Sequence, residues 1–330
     1  MRDAPLLAVE NLRTEFPSPR GVATVLHGVS LTIGRGEAVG MVGESGCGKT
    51  MTARSILRIV PPPGRVTAGR VVLDGRDLLA LSEGEMAGVR GRRIAMIFQE
   101  PGAALNPVIS VGEQITDVLR AHHAASRGDA RTRAIELLRE VGIPDPAARL
   151  SAFPHQLSGG TQQRVAIAIA LACAPDVLIA DEPTTALDVT IQAQILQLLR
   201  RLTVDKGLGL LFITHNIGAV AQIADRIIVM YAGRVVEDGS VDAVIDTPQH
   251  PYTRALLRAM PTMMARREER LLEIEGQVPD LANPPLGCPF HPRCPAVMAH
   301  CGVQDPPLAE MEPGRRVACW LYDHASVRPT

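Results

Sequence analysis

Hydrophobic and polar positions follow two periods along this chain. Residues 6–42 alternate with a period near two in LLAVENL, TVLHGVSLTI and EAVGMVG, which predicts short strands with a Gly34-Arg35-Gly36 turn. Residues 50–60 shift to helical spacing and run into Pro61-Pro62-Pro63, so a helix is expected there with the prolines as its stop. RVVLDGRDL predicts a further strand with an Asp74-Gly75 turn. IAMIF (94–98) predicts a compact strand buried on both faces.

Residues 110–142 change character. VGEQITDVLRAHH and ARTRAIELLREVG have helical spacing, with Ile135, Leu138 and Val141 among the expected core-facing positions. A third helix is expected at 159–173. This helical block, about 100–174, lies between strands and reads as an inserted subdomain. Strand VLIAD (177–181) follows, then a helix carrying Ile191, Ile195, Leu198, Leu199 and Leu202, then strand LLFIT (210–214). A short helix and the hairpin RIIVMYAGRVVEDG close the pattern. Alternating strands and helices predict an α/β fold with a largely parallel, helix-covered sheet. From residue 246 prolines break the pattern, so 1–245 and 246–330 are expected to be a main domain and an extension.

Composition narrows the picture in three ways. A 330-residue chain with 46% hydrophobic residues and a formal net charge of −1 has no overall attraction to nucleic acid. Aromatics make up only 3%, which disfavours stacking platforms for single strands. The longest apolar run, VAIAIALACA (165–174), is about half the ~20 residues of a membrane-spanning helix, and no secretory leader opens the chain, so any membrane role is expected to be peripheral. Six cysteines in a leaderless chain favour reduced thiols or metal ligation over disulfides.

The most specific chemistry is at residues 43–50. GESGCGKT satisfies G-x4-G-K-(S/T) in full, after an apolar strand and at the start of a helix. Gly43, Glu44, Ser45, Gly46, Cys47 and Gly48 would wrap their backbone N–H groups around a polyphosphate. Lys49 would reach the β- and γ-phosphates, and Thr50 would ligate Mg²⁺. Lys49 is the only lysine before Lys206, which makes its placement informative. Asp181 ends the VLIAD strand, where a carboxylate supporting Mg²⁺ belongs, and Glu182 is placed to act as general base on an attacking water. These residues alone support a P-loop NTPase.

LSGGTQQR (157–164) identifies the kind. A phosphate loop, then LSGGxxxR, then an apolar strand ending in Asp-Glu resembles the ATP-binding subunit of an ABC transporter, over about residues 6–245. The resemblance places Gln99 in a loop that senses Mg²⁺ and the γ-phosphate, and His215 as the switch histidine on that phosphate. It places Asp188 at the end of the D-loop and Phe16 on the adenine. It also implies that Ser158, Gly159 and Gly160 cap ATP held by an opposing subunit. Thr161, Asn216 and the TALD spelling of the D-loop depart slightly from the family pattern, and none removes a phosphate contact.

FQEPGAALNP (98–107), HPYTRALLRAMP (250–261) and the cysteine-bearing GCPFHPRCPAVMAHC resemble the oligopeptide and dipeptide permease ATPases, which include nickel importers. The resemblance implies uptake of di- or oligopeptides across the cytoplasmic membrane, with nickel or another small solute as the alternative cargo. It implies ATP and Mg²⁺ as ligands. The implied partners are two membrane permeases, an extracytoplasmic binding protein and a second ATPase, commonly a different chain. The protein would then sit on the cytoplasmic side of the inner membrane, docked through the 99–107 groove. Cys288, Cys294, Cys301 and Cys319 would suit a 4Fe–4S cluster as in some members, with zinc or free thiols as alternatives. His291 and His300 read as loop residues and Cys173 as core. A DNA-maintenance ATPase would need long coiled-coil arms between loop and signature, and a ribosome-associated one a second cassette. Neither is present.

Overall fold

A computed structural model describes residues 4–19, 21–122, 126–185, 187–259, 274–281 and 284–322. The chain forms two compact units. One comprises Met1–Leu7, Thr32–Ala38 and Val72–Ile213, and the other Ala8–Leu31, Val39–Val71 and Thr214–Thr330.

The first unit is built on three parallel strands, Ile94–Ile97, Val177–Asp181 and Gly209–Ile213, with Ile94 opposite Val177 and Val177 opposite Gly209. The last two are buried at every position, which explains their unbroken apolar runs. The expected strand 94–98 ends at Ile97, and Phe98 instead projects with 42% of its surface exposed. Helices Val111–His122, Arg127–Glu140 and Gly159–Ala170 pack on one another. In the middle helix Leu138 is buried as expected, and so is Val141 just past its end. Ile135 is only half-buried, because the inward stripe runs through Ala130, Ala134, Leu137 and Leu138. Helix Val189–Lys206 buries Ile195, Leu198, Leu199 and Leu202 and stops at Gly207, whose positive φ of 63° closes the end.

In the second unit strand Ala38–Val42 pairs in parallel with Arg226–Tyr231. Arg226–Tyr231 forms an antiparallel hairpin with Arg234–Ser240 through Ala232 and Gly233, at φ 45° and 77°. Gly21–Ile33, Leu7–Ser18 and Arg65–Leu73 make a separate sheet. In the first unit Asp74 and Gly75, at φ 49° and 80°, form the expected turn to Arg76–Asp77. Helix Lys49–Ile56 ends several residues before the prolines expected to stop it. Arg58 turns left-handed at φ 54° and the Ile59 amide donates back to the Arg54 carbonyl, so local turn chemistry acts first.

The cysteine-bearing segment adds strands to the hairpin sheet: Arg315–Val317 pairs antiparallel with Arg234–Ser240, and Ala309–Glu312 pairs with it in turn. The junction is organised by Glu237, which is fully buried. Its carboxylate accepts from Arg315 Nη2 at 2.9 Å and from the amides of Gln249 and His250 at 2.8 and 2.9 Å. His250 then caps helix Pro251–Arg258, its Nδ1 accepting from the Tyr252 amide at 3.0 Å. No helix among the described residues is long and apolar enough to cross a membrane.

Burial, with help from the Arg254 charge, pulls the His250 imidazole down to about 3, below its value in an unfolded chain. A depressed folded value means that the stabilisation is complete above pH 6.5 and is lost as pH falls toward 3. Between pH 6.5 and pH 5 this one group is expected to cost about 2 kcal/mol. Urea unfolding across that range measures it, and His250→Asn, which keeps an acceptor for the Tyr252 amide, is expected to flatten the decline.

Candidate functional site

The 43–50 loop leaves a fully buried strand and enters a helix in six residues, which needs unusual backbone. Gly43, Gly46 and Gly48 all have positive φ, at 154°, 79° and 107°. A Cβ on Gly43 would lie 2.3 Å from the Met230 carbonyl oxygen, so only glycine fits there. Gly48 caps helix Lys49–Ile56 without a side-chain acceptor, so no side-chain oxygen competes with an anion at that end. Ser45 and Gly46 form the exposed tip. Thr50 is the second residue of the helix and half-buried. Cys47 is buried with its thiol pushed up by desolvation, and its carbonyl accepts from the Gly233 amide at 2.9 Å, so it serves packing.

Lys49 is 6% exposed, and its Nζ donates to the carbonyls of Gly43 and Glu44 at 2.7 and 3.1 Å. The charge therefore sits inside the loop, held by weak neutral acceptors that a phosphate would outcompete. Glu44 is gripped from outside the loop. Its amide donates to the Tyr252 hydroxyl at 2.8 Å, and its carboxylate takes a two-pronged bond from Arg293 at 2.8 and 3.0 Å. Tyr252 and Arg293 went unnoticed in the sequence. Tyr252 lies in the HPYTRALLRAMP segment, but nothing local marks either residue as a neighbour of the loop.

Phe16 and His215 belong to the same unit as the loop. The Phe16 ring lies against Gly64, where a Cβ would come within 2.4 Å of it, and stays partly exposed. His215 is exposed just beyond strand Gly209–Ile213. The next residue, Asn216, caps helix Ile217–Ile223 by accepting from the Ala219 amide at 3.2 Å, which fixes the backbone after the histidine.

In the other unit Asp181 is buried at the end of its strand and Glu182 begins the turn beyond it. Glu182 has a positive φ of 45°, held by its amide donating to the Ile213 carbonyl at 2.8 Å. Its Oε2 accepts from Gln99 Nε2 at 3.1 Å and from Thr185 Oγ1 at 3.0 Å. The structure thus brings together Gln99 and Glu182, two expected site residues 83 positions apart. Both donors are neutral, so they orient the carboxylate without neutralising it.

The signature forms a helix tip in that unit. Ser158 caps Gly159–Ala170, its Oγ 3.4 Å from the Thr161 amide and 2.9 Å from the Thr161 hydroxyl. Asp188 caps the next helix by accepting from the Ile191 amide at 2.9 Å. The two caps are packed together: Leu187 approaches Gly159, and Ile191 lies where a Gly160 Cβ would fall, at 2.7 Å.

The four cysteines of the extension do not bear out the cluster expectation. All are free thiols, and among the described residues no group of three or more His, Cys, Asp or Glu side chains is arranged to hold a metal. Burial, helped by the neighbouring cysteines of the extension, pushes the Cys288 and Cys319 thiols up to about 11 and raises Cys294 as well. Cys288 is tied to Cys301 through the backbone, amide to carbonyl at 2.8 Å. As expected, His291 and His300 lie in loop turns, the ring of His291 bonding the Cys288 carbonyl, and Cys173 is buried.

Two family descriptions match the chain: ABC transporter over residues 26–185, and oligopeptide/dipeptide transporter, C-terminal region, over 236–301. A probable peptide ABC transporter ATP-binding protein of Sinorhizobium fredii is 50% identical over 96% of this chain and 94% of its own length. The dipeptide transport ATP-binding proteins of Bacillus subtilis and Escherichia coli are 47% and 46% identical, over 95% and 99% of their lengths and 96% and 98% of this chain. Among solved structures, a dimeric ATP-binding cassette in a post-hydrolysis state with ADP and Pi superimposes with a TM-score of 0.64. It is 31% identical and covers 71% of this chain and 98% of its own.

Gly160→Ala is expected to destabilise the fold by about 1–3 kcal/mol, because the new methyl meets Ile191. In combination with Ile191→Ala the loss is expected to be smaller than the sum of the single losses, measured by chemical unfolding of the four proteins.

Proposed function

Because the chain belongs to the ABC transporter family of ATP-binding subunits, in its oligopeptide/dipeptide branch, we propose specific roles for the residues described above. The chain is an ATPase that powers peptide import. In our reading Gly43–Thr50 cradles the triphosphate, Lys49 binds its β- and γ-oxygens, and Phe16 stacks on the adenine. Thr50, Asp181 and Gln99 hold or support Mg²⁺, whose chemistry is to neutralise developing charge on the phosphates. Glu182 takes a proton from the attacking water, and His215 contacts the γ-phosphate. The observation that carries this reading is the Glu182 carboxylate, set just past a buried strand on a left-handed backbone and aimed by donors from Gln99 and Thr185.

Ser158, Gly159 and Gly160 would act on ATP held by an opposing cassette, so two subunits close over nucleotide and separate after hydrolysis. Asp188 would position that tip. The opposing cassette is a different chain in our reading, with two permeases in the cytoplasmic membrane and an extracytoplasmic binding protein completing the importer. Exposed Phe98 and Val108, at 42% and 80%, flank the loop that would meet the permease. We take residues 1–245 as the cassette and 246–330 as an extension particular to this branch.

Two substitutions separate binding from chemistry. Glu182→Gln is expected to retain ATP but lower turnover by about 10²-fold or more. Unchanged turnover would remove Glu182 from the base role. Lys49→Ala is expected to lose nucleotide binding, measured by equilibrium titration with a fluorescent ATP analogue.

A further inference from the structure

The extension reaches the phosphate loop. Arg293 lies on the turn between Cys288 and Cys294, and its side chain is only 4% exposed. All five of its N–H groups are used. Nη1 donates to Glu44 Oε2 at 2.8 Å and to the Tyr231 hydroxyl at 3.2 Å. Nη2 donates to Glu44 Oε1 and to the Ile274 carbonyl, both at 3.0 Å, and Nε to the Glu275 carbonyl at 2.9 Å. A guanidinium saturated in this way is fixed in place. It is held by a packed aromatic group in which Tyr231, Tyr252 and Phe290 meet with ring centroids 4.6, 5.2 and 5.4 Å apart.

Glu44 is thereby bound at all three of its groups: amide to Tyr252, carboxylate to Arg293, carbonyl to Lys49. It is the second residue of a loop whose task is to receive a polyanion. An unpaired carboxylate at that point would repel the incoming phosphates and would compete for Lys49. Arg293 removes both effects at once, because it cancels the charge and pins the loop by a two-pronged bond.

We infer that Arg293 is a positioning residue for nucleotide binding, through which the C-terminal extension sets the charge and shape of the phosphate loop. It acts on ATP through Glu44 and Lys49 and does not touch the nucleotide. The inference rests on the reading that the 43–50 loop holds the triphosphate, which Lys49→Ala tests separately.

The experiment uses the full chain, with Mg-ATP for steady-state turnover and N-methylanthraniloyl-ATP for affinity. Arg293→Ala is expected to raise the Kd and KM for nucleotide about tenfold with kcat within about threefold, since the stranded Glu44 carboxylate opposes binding and not chemistry. Arg293→Lys is expected to recover part of the loss. Adding Glu44→Gln to Arg293→Ala is expected to bring affinity back to within about threefold of the natural chain, which loss of a merely structural contact would not do. If Arg293→Ala does not fold, Arg293→Gln with and without Glu44→Gln reads the same comparison. The inference is overturned if the folded Arg293 variant binds nucleotide normally, or if the paired substitution binds no better than the single one. If Lys49→Ala also binds normally, the loop assignment fails; if Lys49→Ala loses binding while Arg293 variants keep it, only this inference fails.

Discussion

The rest of the structure depends on the backbone of six residues, Gly43 to Gly48. A buried strand delivers them and a helix takes them away, and between the two the chain must turn with its amides available to an anion. That shape is disfavoured for ordinary residues, since three of the six adopt positive φ. It is kept by neighbours on every side. Met230 closes against Gly43, the Gly233 amide holds the Cys47 carbonyl, and Tyr252 and Arg293 hold Glu44. The hairpin and the extension therefore serve the loop directly, although both lie far from it in sequence.

The Glu182 turn follows a comparable logic. A left-handed residue at the end of a buried strand costs on the order of 1–3 kcal/mol. Here the strain is offset by a backbone bond to Ile213, and the carboxylate is aimed by Gln99 and Thr185. In the signature and the D-loop, two helix tips are locked by their own caps and by Ile191 packed over Gly160.

Much of this was legible in the sequence, because local rules dominate there. The glycine pattern of 43–50, the Asp74-Gly75 turn and the capping Ser158 and Asp188 each follow from backbone preferences over a few residues. Periodicity located the strands, but it misjudged Ile135, which leans away from a stripe set by two alanines, and it let the first helix run on to prolines that a left-handed Arg58 pre-empts. The ion pair of Arg293 with Glu44 was invisible, since 249 residues separate the partners and only the folded sheet and its aromatic cluster bring them together. The resemblance suggested a ligand set in the four cysteines of the extension, but among the described residues no group of His, Cys, Asp or Glu is arranged to hold a metal.

The central claim is that this chain binds ATP through its own glycine loop and completes turnover with the serine tip of another cassette. The most direct measurement is a structure of the assembled transporter with a non-hydrolysable ATP analogue. The account predicts a γ-phosphate bounded by Lys49 and Thr50 of this chain and by a signature serine of the opposing subunit. A γ-phosphate covered by Ser158 of the chain that binds it would contradict the account.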